Sequence, residues 1–252
     1  MIEVKGINKS FGDNHVLHDI DCVFEPGSPN LVIGASGSGK TTLCKCIVGL
    51  FSPDSGTISY DGRIFNQMGR NEKKEIRKEI GFLFQGSALF DYLTVEENIK
   101  FPLQMFSDMT PLEMQKRAEF CLERVGLDGA NKLMPSELSG GMKKRVGIAR
   151  AISYRPKYLF CDEPNSGLDP QTAILIDKLI KDITVDFNIT TIVITHDMNS
   201  VLEIGERLAF IHKGKLLWTG SNDEVLSADC FELTDFIYAS TTMKQLRKQH
   251  QQ

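Results

Sequence analysis

An α/β fold, in which a parallel sheet core carries a small N-terminal antiparallel β-subdomain and an inserted helical subdomain, is predicted by three features of the sequence. The stretch Leu31 to Thr42 reads as an apolar strand, a glycine-rich turn and the start of a helix. Apolar runs at 81–83, 158–161 and 189–195 each lead into polar residues, the pattern of sheets that bind ligands at their strand ends. Between the first two of these runs the sequence is helical in pattern up to about Ser153, a separate lobe.

Taken in order, residues 2–7 and 15–24 alternate in polarity around Phe11-Gly12-Asp13-Asn14, which predicts a hairpin. Phe11 beside that turn is a candidate to stack on an adenine ring, or else a residue that packs the turn. The segment Gly34-Ala35-Ser36-Gly37-Ser38-Gly39-Lys40-Thr41, followed by Thr42, fits the phosphate-binding loop G-x-x-x-x-G-K-[ST]. Glycines there let backbone N–H groups turn inward around phosphate oxygens, and the following helix presents its positive end to them. Lys40 would reach the β- and γ-phosphates, and the Thr41 hydroxyl is placed to ligate a magnesium ion bridging them.

Short strands are expected at 57–60 and 63–65 around Asp61-Gly62, and a buried strand at 81–84 ends in Gln85. Helices follow from Thr94 to Lys100 and from Thr110-Pro111-Leu112-Glu113, an N-cap, proline and early acid, to about Val125, with Gly126 as a stop. After Leu138-Ser139-Gly140-Gly141-Met142 a long helix is expected from Lys143 to Ile152, its serine and glycines making a second anion-binding end.

The run Tyr158 to Cys161 is an apolar strand closing in Asp162-Glu163. Side chains alternate on a strand, so the two acids can do different jobs: Asp162 would hold magnesium through water and Glu163 would orient or deprotonate an attacking water. Ser166-Gly167-Leu168-Asp169-Pro170 turns into a helix reaching about Phe187, and the strand 189–195 ends at His196. A hairpin around Lys213-Gly214 and short helices over 221–238 close the chain.

Composition bounds the function. With 252 residues, 41% hydrophobic and 25% charged, the chain can bury a full core in one large or two small domains. No apolar run approaches the roughly 20 residues of a membrane span, and the start lacks the charged head and apolar block of a secretory signal, so a cytosolic chain is expected. Six cysteines without a C-x-x-C pair read as reduced, mostly buried thiols. His15 and His18 have no further His or Cys spaced to complete a metal site. A net charge of −4 argues against nucleic acid, and the basic stretch Lys244 to His250 reads as a solvated terminus.

From these residues the chain resembles, across nearly its whole length, the ATP-binding subunits of ABC transporters. The resemblance rests on the loop 34–41, Gln85 after its strand, Leu138-Ser139-Gly140-Gly141, Asp162-Glu163, Ser166-Gly167-Leu168-Asp169 and His196, all in the family's order. It implies a P-loop NTPase core of ABC type in one domain: a RecA-like core with β-subdomain over about 1–85 and 154–225, a helical subdomain over about 86–153, and a helical tail over about 226–252. It also implies ATP hydrolysis with Mg2+ and an ATP-dependent homodimer. In that sandwich each ATP lies between one copy's phosphate loop and the other's Ser139-Gly140-Gly141 segment, with Asp169 among the nucleotide-binding residues. Phe11 then looks like the adenine-stacking aromatic, Gln85 like a magnesium-site residue linked to the membrane permease subunits, and His196 like a γ-phosphate contact.

Two departures stand out: Met142 where the family usually has glutamine, and Phe11 where many relatives have tyrosine. The first removes one amide hydrogen bond and the second one hydroxyl, leaving the glycine backbone and the stacking face intact. Met142 and the segment 84–98 resemble the branch that powers Mce-type phospholipid transport between bacterial membranes. That branch implies a peripheral protein on the cytoplasmic face of the inner membrane, an Mce-type lipid-binding protein and a small accessory subunit as further partners. Leu89, Phe90, Tyr92 and Leu93 are either a docking patch for the permease or filling for the helical core. The rival readings are a transporter ATPase for another substrate, a non-transport ABC-type ATPase and a small-molecule kinase. Lys40 and Ser139 stand 99 positions apart with no sustained heptads, against the coiled-coil members of the second class, and a kinase leaves Ser139-Gly140-Gly141 without a purpose.

Overall fold

The N-terminal alternation folds as expected into the antiparallel pair β1 (Ile2–Phe11) and β2 (Asn14–Phe24) in this computed structural model, which describes residues 1–238. After β3 (Pro29–Ile33) and α1 (Lys40–Ile47), the chain returns to the same sheet with β4 (Ser55–Tyr60) and β5 (Arg63–Ile64), giving the order β2-β1-β4-β5. Phe65, expected in a strand, instead starts a 3-10 turn and buries its ring against Tyr60 at 5.4 Å.

Helix α2 (Arg70–Lys78) leads to β6 (Ile80–Leu83). The helical lobe then follows as α3 (Val95–Phe106), α4 (Pro111–Arg124) and α5 (Gly140–Ser153). The chain re-enters the core through β7 (Tyr158–Asp162), α6 (Pro170–Asp186), β8 (Thr190–Thr195), α7 (Met198–Ile204), β9 (Arg207–His212) and β10 (Lys215–Gly220), and ends its described part in α8 (Asn222–Val225) and α9 (Phe231–Ile237). The basic stretch from Lys244 and most of the expected tail lie outside the described residues. No helix among the described residues is long and apolar enough to cross a membrane.

The six strands of the second sheet run in the order β10-β9-β3-β8-β7-β6, parallel except for the β9–β10 hairpin. Its central strands are apolar on both faces because both are covered. Leu31 and Ile33 of β3, Leu159 and Cys161 of β7, and Val193 of β8 enter the core shared with the helical lobe, α6 and α7. Their neighbours Val32, Phe160, Ile192 and Ile194 enter the core under the first sheet and α1. Strand periodicity thus wedges one sheet between two cores. Cys44, Cys46, Cys121 and Cys161 are buried in them, and all six cysteines are free.

Two helix boundaries differ from expectation. Helix α3 runs through Pro102 to Phe106 because Leu103 is buried and Phe101 packs on Phe90 at 4.6 Å, contacts that hold the turn where proline removes a backbone hydrogen bond. Helix α5 starts at Gly140, three residues before Lys143: the Ser139 hydroxyl caps it by accepting the Met142 N–H at 3.2 Å, so both glycines belong to its first turn.

Candidate nucleotide site at the strand ends

Three neighbouring strands, β3, β8 and β7, deliver the site, because each ends on the same edge of the sheet. The loop after β3 turns through Gly34, Gly37 and Gly39 at φ of 148°, 77° and 109°. At Gly34 glycine is obligatory, since a Cβ would lie 2.2 Å from the Ile211 carbonyl oxygen. The buried Lys40 side chain bends back across the loop and donates to the carbonyls of Gly34 at 2.7 Å and Ala35 at 2.9 Å. An ammonium has three N–H donors, so one is left to point at an anion in the loop. Burial pulls the Lys40 ammonium pKa down, and the carboxylates of Glu163 and Asp162 pull the other way. Ala35, Ser36, Gly37 and Thr41 are exposed, and Ser38 is buried with its hydroxyl oxygen unpartnered.

Asp162 ends β7 with one buried carboxylate oxygen that has no hydrogen-bond partner among the described residues. Burial, and then the adjacent Glu163 charge, hold its carboxyl above the usual range. Such orphaned atoms are costly unless something satisfies them, and two of them stand on the loop and the acid where a phosphate and its metal would sit. Thr41, Gln85 and Asp162 offer one hydroxyl, one amide and one carboxylate, the hard oxygen donors that suit Mg2+, which keeps waters and phosphate oxygens as its other ligands. The residues present therefore fit the ion.

Glu163 leaves the strand at φ 50°, an unusual backbone for a non-glycine residue, with its N–H fixed on the Ile194 carbonyl at 2.9 Å. That turn aims the carboxylate at His196, whose Nδ1 lies 2.8 Å away at the end of β8. The structure thus brings Glu163 and His196 into direct contact. Lys144, which the sequence reading passed over, anchors the arrangement: buried on α5, it donates to the carbonyl oxygens of Gln85 and of Glu163, the latter at 3.3 Å. Helical spacing puts Lys144 on one face with Gly141 and Ile148, and the structure buries all three, but the spacing alone does not identify its partners. Burial lowers the Lys144 ammonium pKa, opposed by Cys161, Asp162 and Glu163.

Other expected site residues are spread out. Gln85 is exposed, and its amide donates to Ser166 Oγ at 3.3 Å, tying the end of β6 to the loop that precedes α6. Asp169 caps α6, accepting the Thr172 N–H at 3.0 Å. Phe11 is 45% exposed, its ring edge-on to Phe51 at 5.1 Å. Ser139 and Gly140 are exposed at the tip of α5, and among the described residues no hydrogen bond joins them to the loop 34–41.

Residues 17–166 match the ABC transporter family. An intermembrane phospholipid transport system ATP-binding protein, MlaF, of Haemophilus influenzae is 35% identical, over 94% of this chain and 90% of its own length. A methionine import ATP-binding protein, MetN, of Clostridioides difficile is 37% identical over 89% of this chain and 70% of its own length. A probable ribonucleotide transport ATP-binding protein of Mycobacterium leprae is 35% identical over 90% of this chain, which spans 66% of that protein's length. Among solved structures, a dimeric bacterial ABC transporter cassette superposes with a TM-score of 0.80 at 32% identity, covering 88% of this chain and 99% of its own. A match over more than half of the sequence, and relatives sharing a third of its residues along most of its length, show that this chain belongs to the ABC transporter family.

Proposed function

We propose that this chain is the ATP-hydrolysing subunit of a membrane transporter that moves phospholipid between bacterial membranes. The observation that carries hydrolysis is the meeting of Glu163 and His196 at 2.8 Å beside the glycine loop and Asp162. Glu163 takes a proton from the attacking water, whose oxygen forms a bond to the γ-phosphorus while the bond to the β-bridging oxygen breaks and ADP departs with the electron pair. His196 holds the Glu163 carboxylate in place, and Lys40 gives its remaining N–H to the phosphates. Thr41 and Asp162, with Gln85 nearby, would hold Mg2+, which would supply positive charge against the phosphate oxygens. Phe11 offers its exposed face to the adenine. A positioned base is worth about 10²–10⁴ in rate, so Glu163→Gln binds ATP but turns over at least about a hundredfold more slowly. Near-normal turnover in that variant removes Glu163 from this role.

The second half of each site comes from another copy of the chain. Ser139 and Gly140 stand exposed at the N-terminus of α5 with no partner loop in their own subunit, and helix N-termini bind anions. The lipid substrate is supported by the length over which the Haemophilus phospholipid-transport protein aligns, together with Met142 and the segment 84–98. The permease docks in a groove of about 400 Å³ beside Gln85, lined by Phe82, Phe84, Phe90, Phe101 and Phe106. Tyr92 stands beside it, 74% exposed, its ring 5.9 Å from that of Phe90. Leu89, by contrast, packs against the core of the helical lobe.

A further inference from the structure

At the opposite end of the sheet from the phosphate loop, where Tyr158 and Thr190 begin β7 and β8, a cavity of about 1000 Å³ opens against α4. One wall is carbon, from Met109, Phe120, Ile152 and Phe187. The rings of Phe120 and Phe187 lie 6.5 Å apart and are 38% and 39% exposed, each with one guanidinium over it, Arg117 at 4.8 Å from the Phe120 ring and Arg124 at 5.4 Å from the Phe187 ring. The other wall is positive, from Lys116, Arg117, Arg155 and Lys157, on a chain whose net charge is −4.

The carboxylates that line the cavity only partly offset this wall: the Thr110 hydrogen bonds and, after them, the Lys116 charge hold the Glu113 carboxyl low, while no ion pair joins Lys116 and Glu113 among the described residues. Glu113 accepts from the Thr110 backbone at 2.7 Å and hydroxyl at 2.8 Å, and Asp61 accepts from the Tyr158 hydroxyl at 2.5 Å and the Met1 amino group at 2.6 Å. Lys157 pairs with Glu79 at 3.2 Å. Arg117 lies over the Phe120 ring and donates to the carbonyls of Ile152 and Ser153, each at 2.8 Å, at the C-terminal end of α5. The Lys116 and Arg155 side chains make no hydrogen bond or ion pair among the described residues. Two cations outside any hydrogen bond or ion pair among the described residues, a half-buried guanidinium and two partly exposed rings thus face one space, whose size is that of cavities holding a drug-sized ligand.

We propose that this cavity binds an anionic amphiphile, its carboxylate or phosphate head on Lys116 and Arg155 and its apolar body against Phe120 and Phe187. Inorganic phosphate would leave the exposed part of the rings uncovered, and a neutral apolar molecule would leave Lys116 and Arg155 without an anion; a ligand with both parts satisfies both walls. None of these residues belongs to the nucleotide site, so the cavity is a second site at the other end of β7 and β8.

Isothermal titration of the purified full chain tests this with dodecanoate and dodecyl phosphate below their micelle concentrations, and with dodecyl maltoside as the neutral control. The expected result is saturable one-to-one binding of at least one anionic probe, stronger heads distinguishing a fatty acid from a phosphate ester, and none of the maltoside. The double variant Lys116→Glu/Arg155→Glu should weaken that binding at least tenfold, and Phe187→Ala should weaken it with the charges intact. Binding of a fluorescent ATP analogue, unchanged in both variants, certifies their folding. Absence of saturable binding by either anion, equal binding of the maltoside, or an unaltered affinity in the folded double variant overturns the proposal.

Discussion

Buried polar atoms without partners are the residue-scale feature that organises this chain's chemistry. Asp162 and Ser38 each leave one such oxygen at the phosphate loop, and a further pair lies behind it. Asp177 of α6 is buried beside Asn165, which precedes the loop 166–169, and Ser200 of α7; Asn165 donates to Ser200 Oγ at 2.9 Å, while one oxygen each of Asn165 and Asp177 has no donor. Burial pushes the Asp177 carboxyl up to about 6, opposed by hydrogen bonds from Ser200 and Asn165 and reinforced by Asp197 and Glu203. A protonated Asp177 supplies the missing donor. Because the folded-state value stands above the ordinary 3.8, the stability it contributes is complete below that pH and is lost as pH rises through about 6. Asp177→Asn keeps a neutral donor at every pH. It should therefore melt close to the wild type near pH 4 and hold an advantage of up to about 3 kcal/mol at pH 8, measured by denaturant titration at the two pH values. An advantage independent of pH would show that Asp177 stays ionised.

At the scale of elements, the two glycines of α5 separate packing from ligand approach. A Cβ on Gly141 would meet Thr172 Cγ2 of α6 at 2.5 Å, whereas one on Gly140 meets only Leu168 Cδ2 at an ordinary 3.5 Å. Gly141→Ala should therefore destabilise the chain by about 1–3 kcal/mol through overpacking, and Gly140→Ala should leave the melting temperature unchanged while weakening nucleotide-dependent association. A melting temperature lowered by both variants would make Gly140 a packing glycine too.

The same element shows what the sequence makes legible. Loop 34–41, the hairpins, the strand-end acids and the capping residue Thr110 could be read because each is local chemistry at fixed spacing. Helix α2 escaped notice, since it buries only Ile76 and is capped by glycine, and the seven-residue α7 carries too little pattern to announce itself. Lys144 was hidden for a different reason: its partners are the backbone oxygens of Gln85 and Glu163, 59 and 19 positions away, which no local pattern encodes.

For the whole molecule, the nucleotide loop, the helical lobe and the aromatic groove are linked through Gln85, whose amide binds Ser166 and whose carbonyl binds Lys144. The groove is lined in part by Phe84, the residue before Gln85. Tyr92, almost free of packing, tests that surface: Tyr92→Glu should leave folding and ATP binding unchanged and abolish recovery with the permease from membranes. A stable Tyr92→Glu variant that co-purifies at normal yield places docking elsewhere.

Sharing of each ATP between two copies is the claim on which the mechanism turns, because among the described residues no hydrogen bond joins the Ser139 segment to the phosphate loop of its own chain. Light scattering of Glu163→Gln with and without ATP and Mg2+ addresses it directly, since slowed hydrolysis lets the closed pair accumulate. The mass should double on adding nucleotide, and Glu163→Gln/Ser139→Arg, with a bulky side chain where the partner's phosphate must lie, should remain at the single-chain mass. A mass that does not respond to nucleotide, or a double variant that pairs as readily as Glu163→Gln alone, would contradict the shared site.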